Sequence, residues 1–298
     1  MDLLLFPLPG SEEPSRSFAE AIGARTGEWS YRRFPDGEFY LRVDTPIAGA
    51  AALLFGSLDR PDSKMLPMLF LAETLKDLGA KKVVLVAPYL AYLRQDARFQ
   101  PGEGVTSRYF ARLLGQTIDG LVTVDPHLHR YASLGEIYDI PTRVAHAAGS
   151  ISEWIRAHVP RPLVVGPDRE SEQWAGEVAR GADAPFFVLE KTRKGDREVE
   201  ISSPQGESYK DRTPVIVDDI ISSGKTLAAA AARLIEAGFA RPIGIGIHPV
   251  FSGNAADVLQ ASGLAELVTC NTIPHATNRI DLSASISEAL REMLGDNT

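Results

Sequence analysis

The sequence predicts an α/β protein built on mainly parallel sheets flanked by helices. Short apolar runs alternate with longer segments of helical period along the chain, and this strand–helix alternation is typical of parallel sheets. Apolar residues are continuous rather than alternating at residues 83–87 and 215–217, as expected of strands that are buried on both faces. The length of 298 residues favours two domains, because one domain usually has roughly 150 residues.

Four strands are predicted in the first half of the chain and five in the second. They are residues 3–6, 52–55, 83–87 and 121–124, followed by residues 163–165, 186–189, 215–217, 244–247 and 267–269. Helices are predicted between strands, at residues 65–78, 107–118, 151–158 and 227–237. The last of these is rich in alanine and ends at Gly238, a residue type that commonly ends helices.

The two halves share this rhythm, which predicts two α/β domains of one architecture, at residues 1–146 and 147–298. One segment departs from the pattern. Residues 191–213 are polar, charged and rich in turn-forming residues, and they follow a strand where a helix is expected. We predict that they form an exposed, mobile hairpin or flap.

Composition and charge exclude several classes of protein. A hydrophobic fraction of 44% with 23% charged residues excludes a disordered or collagenous chain. A formal net charge of −8 argues against diffuse binding to nucleic acid, and no apolar run approaches the ~18 residues that a membrane helix needs. The single cysteine, Cys270, excludes an intramolecular disulfide and fits a reducing compartment. We therefore expect a cytoplasmic protein that binds neither nucleic acid nor a membrane.

The most informative segment is VIVDDIISSGKT at residues 215–226. A buried strand leads to two adjacent carboxylates, Asp218 and Asp219, and then to small residues and a helix. Ligands bind at this end of strands in open α/β sheets, and the helix start offers unpaired N–H groups to a phosphate. Further donors are the hydroxyl groups of Ser222, Ser223 and Thr226. Because the carboxylates would repel a phosphate, they suit sugar hydroxyls instead, so the segment predicts a sugar phosphate site.

Two other interpretations apply to this segment. Asp219 or Ser222 could simply cap the helix, but two consecutive Asp residues after a buried strand each carry a desolvation cost, which favours a functional role. Residues 223–226 are similar to the end of a P-loop, but that motif needs glycine where Asp219 stands. We therefore reject the P-loop.

Six segments resemble motifs of the ribose-phosphate pyrophosphokinase (phosphoribosyl diphosphate synthetase) family, and they occur in the same order as in that family. They are RFPDGE at 33–38, PYLAYLRQD at 88–96, VDPH at 124–127, VGPD at 165–168, KTR at 191–193 and the string at 215–226. The strings DDIIS and DPH are most similar to the archaeal-type form. The resemblance implies two phosphoribosyltransferase-like domains, each a mainly parallel sheet flanked by helices.

The same resemblance implies an activity and a set of site residues. The activity is transfer of the diphosphoryl group of ATP to the C1 hydroxyl of ribose 5-phosphate, with Mg²⁺ as cofactor, by at least a homodimer. The residues implied to bind ribose 5-phosphate are Asp218, Asp219, Ser222, Ser223, Gly224, Lys225 and Thr226. Those implied to bind ATP are Phe34, Asp36, Glu38, Arg94, Gln95 and Asp96, the first three reaching adenine across a subunit contact. Those implied to bind Mg²⁺ are His127 and Asp168, and the catalytic flap would supply Lys191 and Arg193.

Several of these residues also have a simpler interpretation. Arg94 could pair with Asp96 or Glu103 on the surface, and the flap cations could be a solvated basic loop. Lys225 stands where the family usually has glycine, and a side chain would cost about 1–2 kcal/mol if that position needs a positive φ.

Two alternative functions remain open at this point. One is a phosphoribosyltransferase that consumes the diphosphorylated sugar, which would need neither a second domain nor the segment at 94–96. The other is a non-catalytic regulatory homologue, which would tend to lose the flap cations or the metal-binding groups.

Overall fold

The structure is a computed structural model that describes residues 2–189 and 209–295. The chain divides into two compact units. The first contains Met1–Ala145 together with Ser283–Thr298, and the second contains His146–Leu282. The division at residue 145 agrees closely with the predicted one, but the C-terminal helix belongs to the first unit and not, as predicted, to the second.

The first unit is built on a sheet of six parallel strands in the order β2-β1-β5-β6-β7-β8, with a separate antiparallel hairpin, β3–β4. Its elements in chain order are β1 (Leu3–Pro7), α1 (Glu12–Ile22), β2 (Arg25–Thr26), β3 (Trp29–Arg33), β4 (Phe39–Val43), β5 (Ala51–Phe55), α2 (Asp62–Asp77), β6 (Lys82–Ala87), α3 (Thr106–Gly115), β7 (Gly120–Val124) and β8 (Thr142–Ala145).

The second unit is also built on six parallel strands, in the order β10-β9-β11-β12-β13-β14. Its elements are α4 (Ala148–His158), β9 (Pro162–Gly166), α5 (Glu172–Gly181), β10 (Phe186–Val188), β11 (Thr213–Ile221), α6 (Lys225–Glu236), β12 (Ile243–Pro249), α7 (Ala255–Gln260), β13 (Glu266–Cys270) and β14 (Asn278–Ile280). The chain then ends in α8 (Ser283–Leu294).

The two sheets have one topology, which confirms the prediction of two α/β domains of the same architecture. In each sheet, the chain starts at the strand next to the edge (β1 or β9) and passes to the edge strand (β2 or β10). It then returns to the other side of the first strand (as β5 or β11). The neighbouring pairs β1/β5 and β9/β11 are therefore the points at which the chain reverses its direction across the sheet. Parallel sheets commonly bind ligands at such a point, beyond the carboxyl ends of the strands.

The C-terminal helix α8 covers part of the first sheet. It buries an apolar face that includes Leu290 and Met293, and Lys82 Nζ in β6 donates a hydrogen bond to the Met293 carbonyl at 3.3 Å. The sulfur of Met293 also lies 2.9 Å from the ideal position of a Cβ atom on Gly120 in β7. The helix is amphipathic, but its sequence does not indicate which of two similar sheets it covers.

All nine predicted strands and all four predicted helices are present, with ends that differ by a few residues. The structure adds β2, the hairpin β3–β4, β8 and β14, which were not predicted. Residues 191–208 of the predicted flap lie outside the described residues, and Thr213, its last residue, belongs to β11. Within the described parts of the chain, no helix is long and apolar enough to cross a membrane.

Candidate active site

The predicted sugar phosphate loop lies at the reversal point of the second sheet. Strand β11 continues to Ile221, which is four residues beyond its predicted end at 217. It pairs with β9 only over residues 213–216, whereas it pairs with β12 as far as Ile221. Among residues 2–189 and 209–295, the strand segment that carries Asp218 and Asp219 therefore has no ladder partner on the β9 side, where an open α/β sheet forms its ligand crevice.

Both carboxylates of this segment are half-buried and held close to the backbone. Asp218 Oδ1 accepts a hydrogen bond from the backbone N–H of Asp219 at 3.1 Å. Asp219 Oδ1 accepts one from the backbone N–H of Ile220 at 2.7 Å. These short-range bonds fix the direction of both acidic groups at the strand end, and carboxylate oxygens placed in this way suit hydroxyl donors.

The helix after this loop begins with a left-handed glycine. Gly224 is the N-cap residue of α6 and has φ 73° and ψ −4°. Lys225 is the first residue of the helix, so the positive φ falls on Gly224 and the cost considered for a side chain at position 225 does not arise. The side chains of Lys225 and Thr226 are exposed, beside the unpaired N–H groups that the first turn of a helix presents.

A second loop, at residues 250–254, packs beside the first and was not predicted. The backbone N–H of Phe251 donates to the carbonyl of Ile221 at 3.0 Å, and that of Ser252 donates to the carbonyl of Ser222 at 2.9 Å. The hydroxyl groups of Ser222 and Ser252 lie 3.0 Å apart. The string FSGN at 251–254 follows β12, the parallel neighbour of β11. This position in the sequence could have predicted a second loop beside the first.

Asp168 lies in the same unit, two residues after the end of β9. Its Oδ1 accepts a hydrogen bond from the backbone N–H of Ser171 at 3.2 Å, and its carbonyl oxygen accepts one from the Ser171 hydroxyl at 2.5 Å. Because β9 and β11 are parallel neighbours, their carboxyl ends lie at the same edge of the sheet. Asp168 therefore lies at the same edge as Asp218 and Asp219.

The predicted adenine-binding residues of the first unit lie in the turn of the hairpin β3–β4. Phe34 N–H donates to the Glu38 carbonyl at 2.8 Å, and Glu38 N–H donates to Asp36 Oδ1 at 3.1 Å. Phe34 is 37% exposed, and the guanidinium carbon of Arg32 lies 4.4 Å from the centroid of its ring. The turn therefore presents an aromatic ring and two acidic side chains at an exposed tip.

The predicted ATP residues 94–96 lie in the long loop after β6, with different exposures. Arg94 is exposed, Gln95 is half-buried and Asp96 is buried. Arg130 Nη1 lies 2.8 Å from Asp96 Oδ1, and the carboxylate of Glu103 accepts backbone N–H groups of the same loop. Both partners considered for Arg94 thus have other contacts. The side chain of Asp96 is only 3% exposed.

His127 follows β7, the neighbour of β6 in the first unit. Its ring is half-buried and lies edge-on to that of His129, with centroids 3.9 Å apart. Within residues 2–189 and 209–295, no group of three or more His, Cys, Asp or Glu residues is arranged to hold a metal ion. Mg²⁺ prefers oxygen ligands such as carboxylates and keeps several of its waters, whereas Zn²⁺ needs three or four protein ligands. Lys191 and Arg193 lie outside the described residues.

Comparison with known proteins covers both units. Residues 3–117 match the family described as the N-terminal domain of ribose phosphate pyrophosphokinase, and residues 133–280 match the phosphoribosyl transferase domain. The chain is 32% identical over 282 residues to ribose-phosphate pyrophosphokinase of Methanopyrus kandleri, with 94% of this chain and 96% of that protein covered. It is 35% identical over 266 residues to that of Saccharolobus solfataricus, covering 86% and 89%. The crystal structure of phosphoribosylpyrophosphate synthetase from Mycobacterium smegmatis has the same fold, with a TM-score of 0.85 at 23% identity over 100% of both chains.

Proposed function

Because the chain belongs to the ribose-phosphate pyrophosphokinase family, we propose that it transfers the diphosphoryl group of ATP to the C1 hydroxyl of ribose 5-phosphate. The products would be 5-phosphoribosyl 1-diphosphate and AMP. The structural observation that carries this proposal is the strand–loop–helix formed by β11 and α6, which joins two fixed carboxylates to a helix start. A sugar phosphate needs both kinds of group, acceptors for its hydroxyls and hydrogen-bond donors for its phosphate.

The loop would bind the sugar through its hydroxyls and its phosphate separately. Asp218 and Asp219 would accept hydrogen bonds from the ribose hydroxyls. The first N–H groups of α6 would donate to the 5-phosphate, and the positive end of the helix dipole would favour its charge. Further donors would be the hydroxyl groups of Ser222, Ser223 and Thr226. Gly224 lets the backbone turn there, and Lys225 would add a positive charge.

The first unit would bind the nucleotide. The exposed ring of Phe34 would stack on adenine, and Asp36 and Glu38 would accept hydrogen bonds from its amino group. The exposed guanidinium of Arg94 suits forked contacts with phosphates, and the amide of Gln95 suits a base edge. We also propose that the hairpin tip serves the nucleotide site of another copy of the chain, which requires at least a homodimer.

The reaction makes one bond and breaks one. The C1 hydroxyl oxygen of the ribose bonds to the β-phosphorus of ATP while the bond from that phosphorus to the oxygen bridging to the α-phosphate breaks. AMP leaves with that oxygen, and the hydroxyl proton is released. Catalysis then depends on alignment and on neutralising negative charge. Mg²⁺ would neutralise charge on the ATP phosphates. His127 and Asp168 are proposed to bind it or its waters, and Lys191 and Arg193 are proposed to contact the transferred group.

The remaining proposal concerns location. Cys270, the single cysteine, is buried in β13, so the fold uses this residue as a small core side chain. A fold without a disulfide framework is compatible with the reducing conditions of the cytoplasm, where we propose that the protein acts.

One assay tests the proposed activity directly. The purified protein is incubated with ribose 5-phosphate, ATP and Mg²⁺, and AMP and the 1-diphosphorylated sugar are measured together. We expect equal amounts of the two products. Absence of AMP would favour a phosphoribosyltransferase or a non-catalytic homologue, and AMP without the diphosphorylated sugar would reject the synthetase assignment.

Two variants connect the activity to the loop. We expect Asp218→Asn and Asp219→Asn each to lower kcat/KM for ribose 5-phosphate by roughly 10–100-fold, the equivalent of one lost charged hydrogen bond. Glu266→Gln is the matched control, because Glu266 is an exposed carboxylate at the opposite, amino-terminal end of the same sheet. Equal activities in all three variants would exclude the loop as the sugar site.

A further inference from the structure

Two loops of the first unit are joined by an ion pair in which the acidic side chain is buried and the basic one is exposed. Strands β6 and β7 are parallel neighbours, so the loops that follow them leave the sheet at the same edge. The first loop carries Asp96, whose side chain is 3% exposed, and the second carries Arg130, whose side chain is 52% exposed. Arg130 Nη1 lies 2.8 Å from Asp96 Oδ1, and its guanidinium carbon lies 5.1 Å from the ring centroid of Phe99 in the first loop.

A second set of hydrogen bonds joins the same two loops next to this ion pair. The hydroxyl of Tyr131, a buried side chain, donates to the backbone carbonyl of Asp96 at 3.1 Å. The Tyr131 hydroxyl also accepts a hydrogen bond from Arg108 Nε at 3.3 Å, and it lies 3.4 Å from the hydroxyl of Ser107. Both of these residues lie in the first turn of α3. Arg130 and Tyr131, adjacent residues of the second loop, thus both contact Asp96 in the first loop.

This arrangement is a poor source of stability. Among the described residues, the second carboxylate oxygen of Asp96, Oδ2, is buried and has no hydrogen-bond partner. A buried acceptor without a donor costs about 1–3 kcal/mol, and a buried ion pair often contributes no more stability than apolar residues of the same volume. A contact that contributes little net stability can still fix the position of the segments that it joins.

The segment that it holds contains the predicted metal-binding histidine and starts from a strained backbone. Asp125, the first residue after β7, has a φ of 27°, which is outside the regions that L-residues favour. Such a conformation persists only where the surrounding structure holds it. Three residues before Arg130 lies His127, whose ring packs edge-on against that of His129.

We propose that the Asp96–Arg130 ion pair is a positioning contact that holds the loop at residues 125–131, and with it His127, against the loop after β6. Asp96 then acts through Arg130 and not as a ligand of the nucleotide. The catalytic consequence rests on the proposed function, because His127 matters only if this chain performs the diphosphoryl transfer. The ordering of the loop does not depend on that function.

The test uses Asp96→Asn, Arg130→Gln and the double variant in the full-length protein. Hydrogen–deuterium exchange measured by mass spectrometry reports on the loop without any activity. We expect the amides of residues 125–131 to exchange at least ~10-fold faster in both single variants, with those of β7 unchanged. Arg143→Gln is the control, because it breaks an exposed ion pair with Glu292 (3.5 Å) in the same unit, and it should change neither region.

The kinetic measurements separate positioning from a general structural role. We expect both single variants to lower kcat and to raise the Mg²⁺ concentration needed for half-maximal rate by roughly 10–100-fold, as is typical when a residue that orients a metal-binding group is lost. The KM for ribose 5-phosphate should stay unchanged, the double variant should match the single ones, and Arg130→Lys should restore part of the loss.

Unchanged exchange at residues 125–131 would overturn the proposal. So would additive effects of the two substitutions, or faster exchange with unchanged kcat. If the unmodified protein forms no AMP, the proposed function fails, and the exchange experiment still decides whether the ion pair orders the loop.

Discussion

The side chain of Leu259 occupies the space that a Cβ atom on residue 224 would need, since its Cγ lies 2.7 Å from the ideal position of that atom. Leu259 is a buried residue of α7, and Gly224 is the N-cap of α6. The α6–α7 packing therefore reaches the loop that follows β11, the strand that carries Asp218 and Asp219. Glycine at 224 is required both by the positive φ and by this contact.

Replacing Gly224 by alanine should impair both stability and sugar binding. The left-handed φ costs about 1–2 kcal/mol for a residue with a Cβ, and overpacking against Leu259 adds about 1–3 kcal/mol. We expect Gly224→Ala to lower the free energy of unfolding in urea by the sum of the two and to raise the KM for ribose 5-phosphate at least ~10-fold, because α6 must shift.

Gly238→Ala is the control for this experiment. Gly238 follows the other end of α6 with a φ of 83°, and the nearest atom to an added Cβ is Lys210 Nζ, at 4.0 Å. It should therefore show the backbone cost alone and leave the KM unchanged. The double variant Gly224→Ala, Leu259→Ala should recover part of the lost sugar affinity. Equal effects of the two glycine substitutions would show that the contact with Leu259 is unimportant.

Lys225 lies where a positive charge is unfavourable for a helix. It is the exposed first residue of α6, beside the positive end of the helix dipole, at a cost of about 0.3–1 kcal/mol. A 5-phosphate bound at the helix start would reverse this balance. We expect Lys225→Ala to raise the free energy of unfolding slightly while raising the KM for ribose 5-phosphate by roughly 3–10-fold.

Arg233→Ala is the control at the other end of the same helix, where the helix dipole has the opposite sign. Arg233 lies in the last turn of α6, where a cation is favourable, so its loss should lower stability and leave the KM unchanged. Stability is measured by urea unfolding and the KM by AMP formation. A Lys225→Ala variant with lower stability and an unchanged KM would contradict a role for Lys225 in binding phosphate.

Local sequence patterns were sufficient to predict the long strands and the position of Asp218 and Asp219 between a buried strand and a helix. Strand β11 is a continuous apolar run followed by acidic and small residues, so both its burial and the acidic residues near its carboxyl end could be predicted from neighbouring residues. The edge strands β2, β8 and β14 have two to four residues, which is too short for a periodic signal.

Contacts between distant residues could not be predicted in this way. Ser222 and Ser252 are 30 positions apart, and Asp96 and Arg130 are 34 positions apart. Each pair meets only because parallel neighbouring strands bring their following loops to one edge of the sheet. The resemblance in the segment at 94–96 implied a nucleotide contact for Asp96, and the contact between Asp96 and Arg130 became visible only in the folded chain.

The hydroxyl of Tyr138 provides a test of the core of the first unit that does not depend on activity. The side chain is 3% exposed, and its oxygen has no hydrogen-bond partner among the described residues. Because an unsatisfied buried hydroxyl costs about 1–3 kcal/mol, we expect Tyr138→Phe to raise the free energy of unfolding at pH 7. Tyr131→Phe is the control, since the Tyr131 hydroxyl donates to Asp96, and it should lower the free energy of unfolding by about 1 kcal/mol.

The effect of Tyr138 should also depend on pH. Burial raises the pKa of its phenol well above the usual value of 10.0. Below pH 10 both the folded and the unfolded state keep the proton, so this group adds no pH dependence. Above about pH 10 the unfolded state loses the proton while the folded state keeps it, and the free energy of unfolding must fall as the pH rises. Since Tyr138→Phe removes this contribution, its stability advantage in urea unfolding should widen between pH 9 and about pH 11. An advantage that stays constant over that interval would mean that the phenol ionises normally in the folded protein.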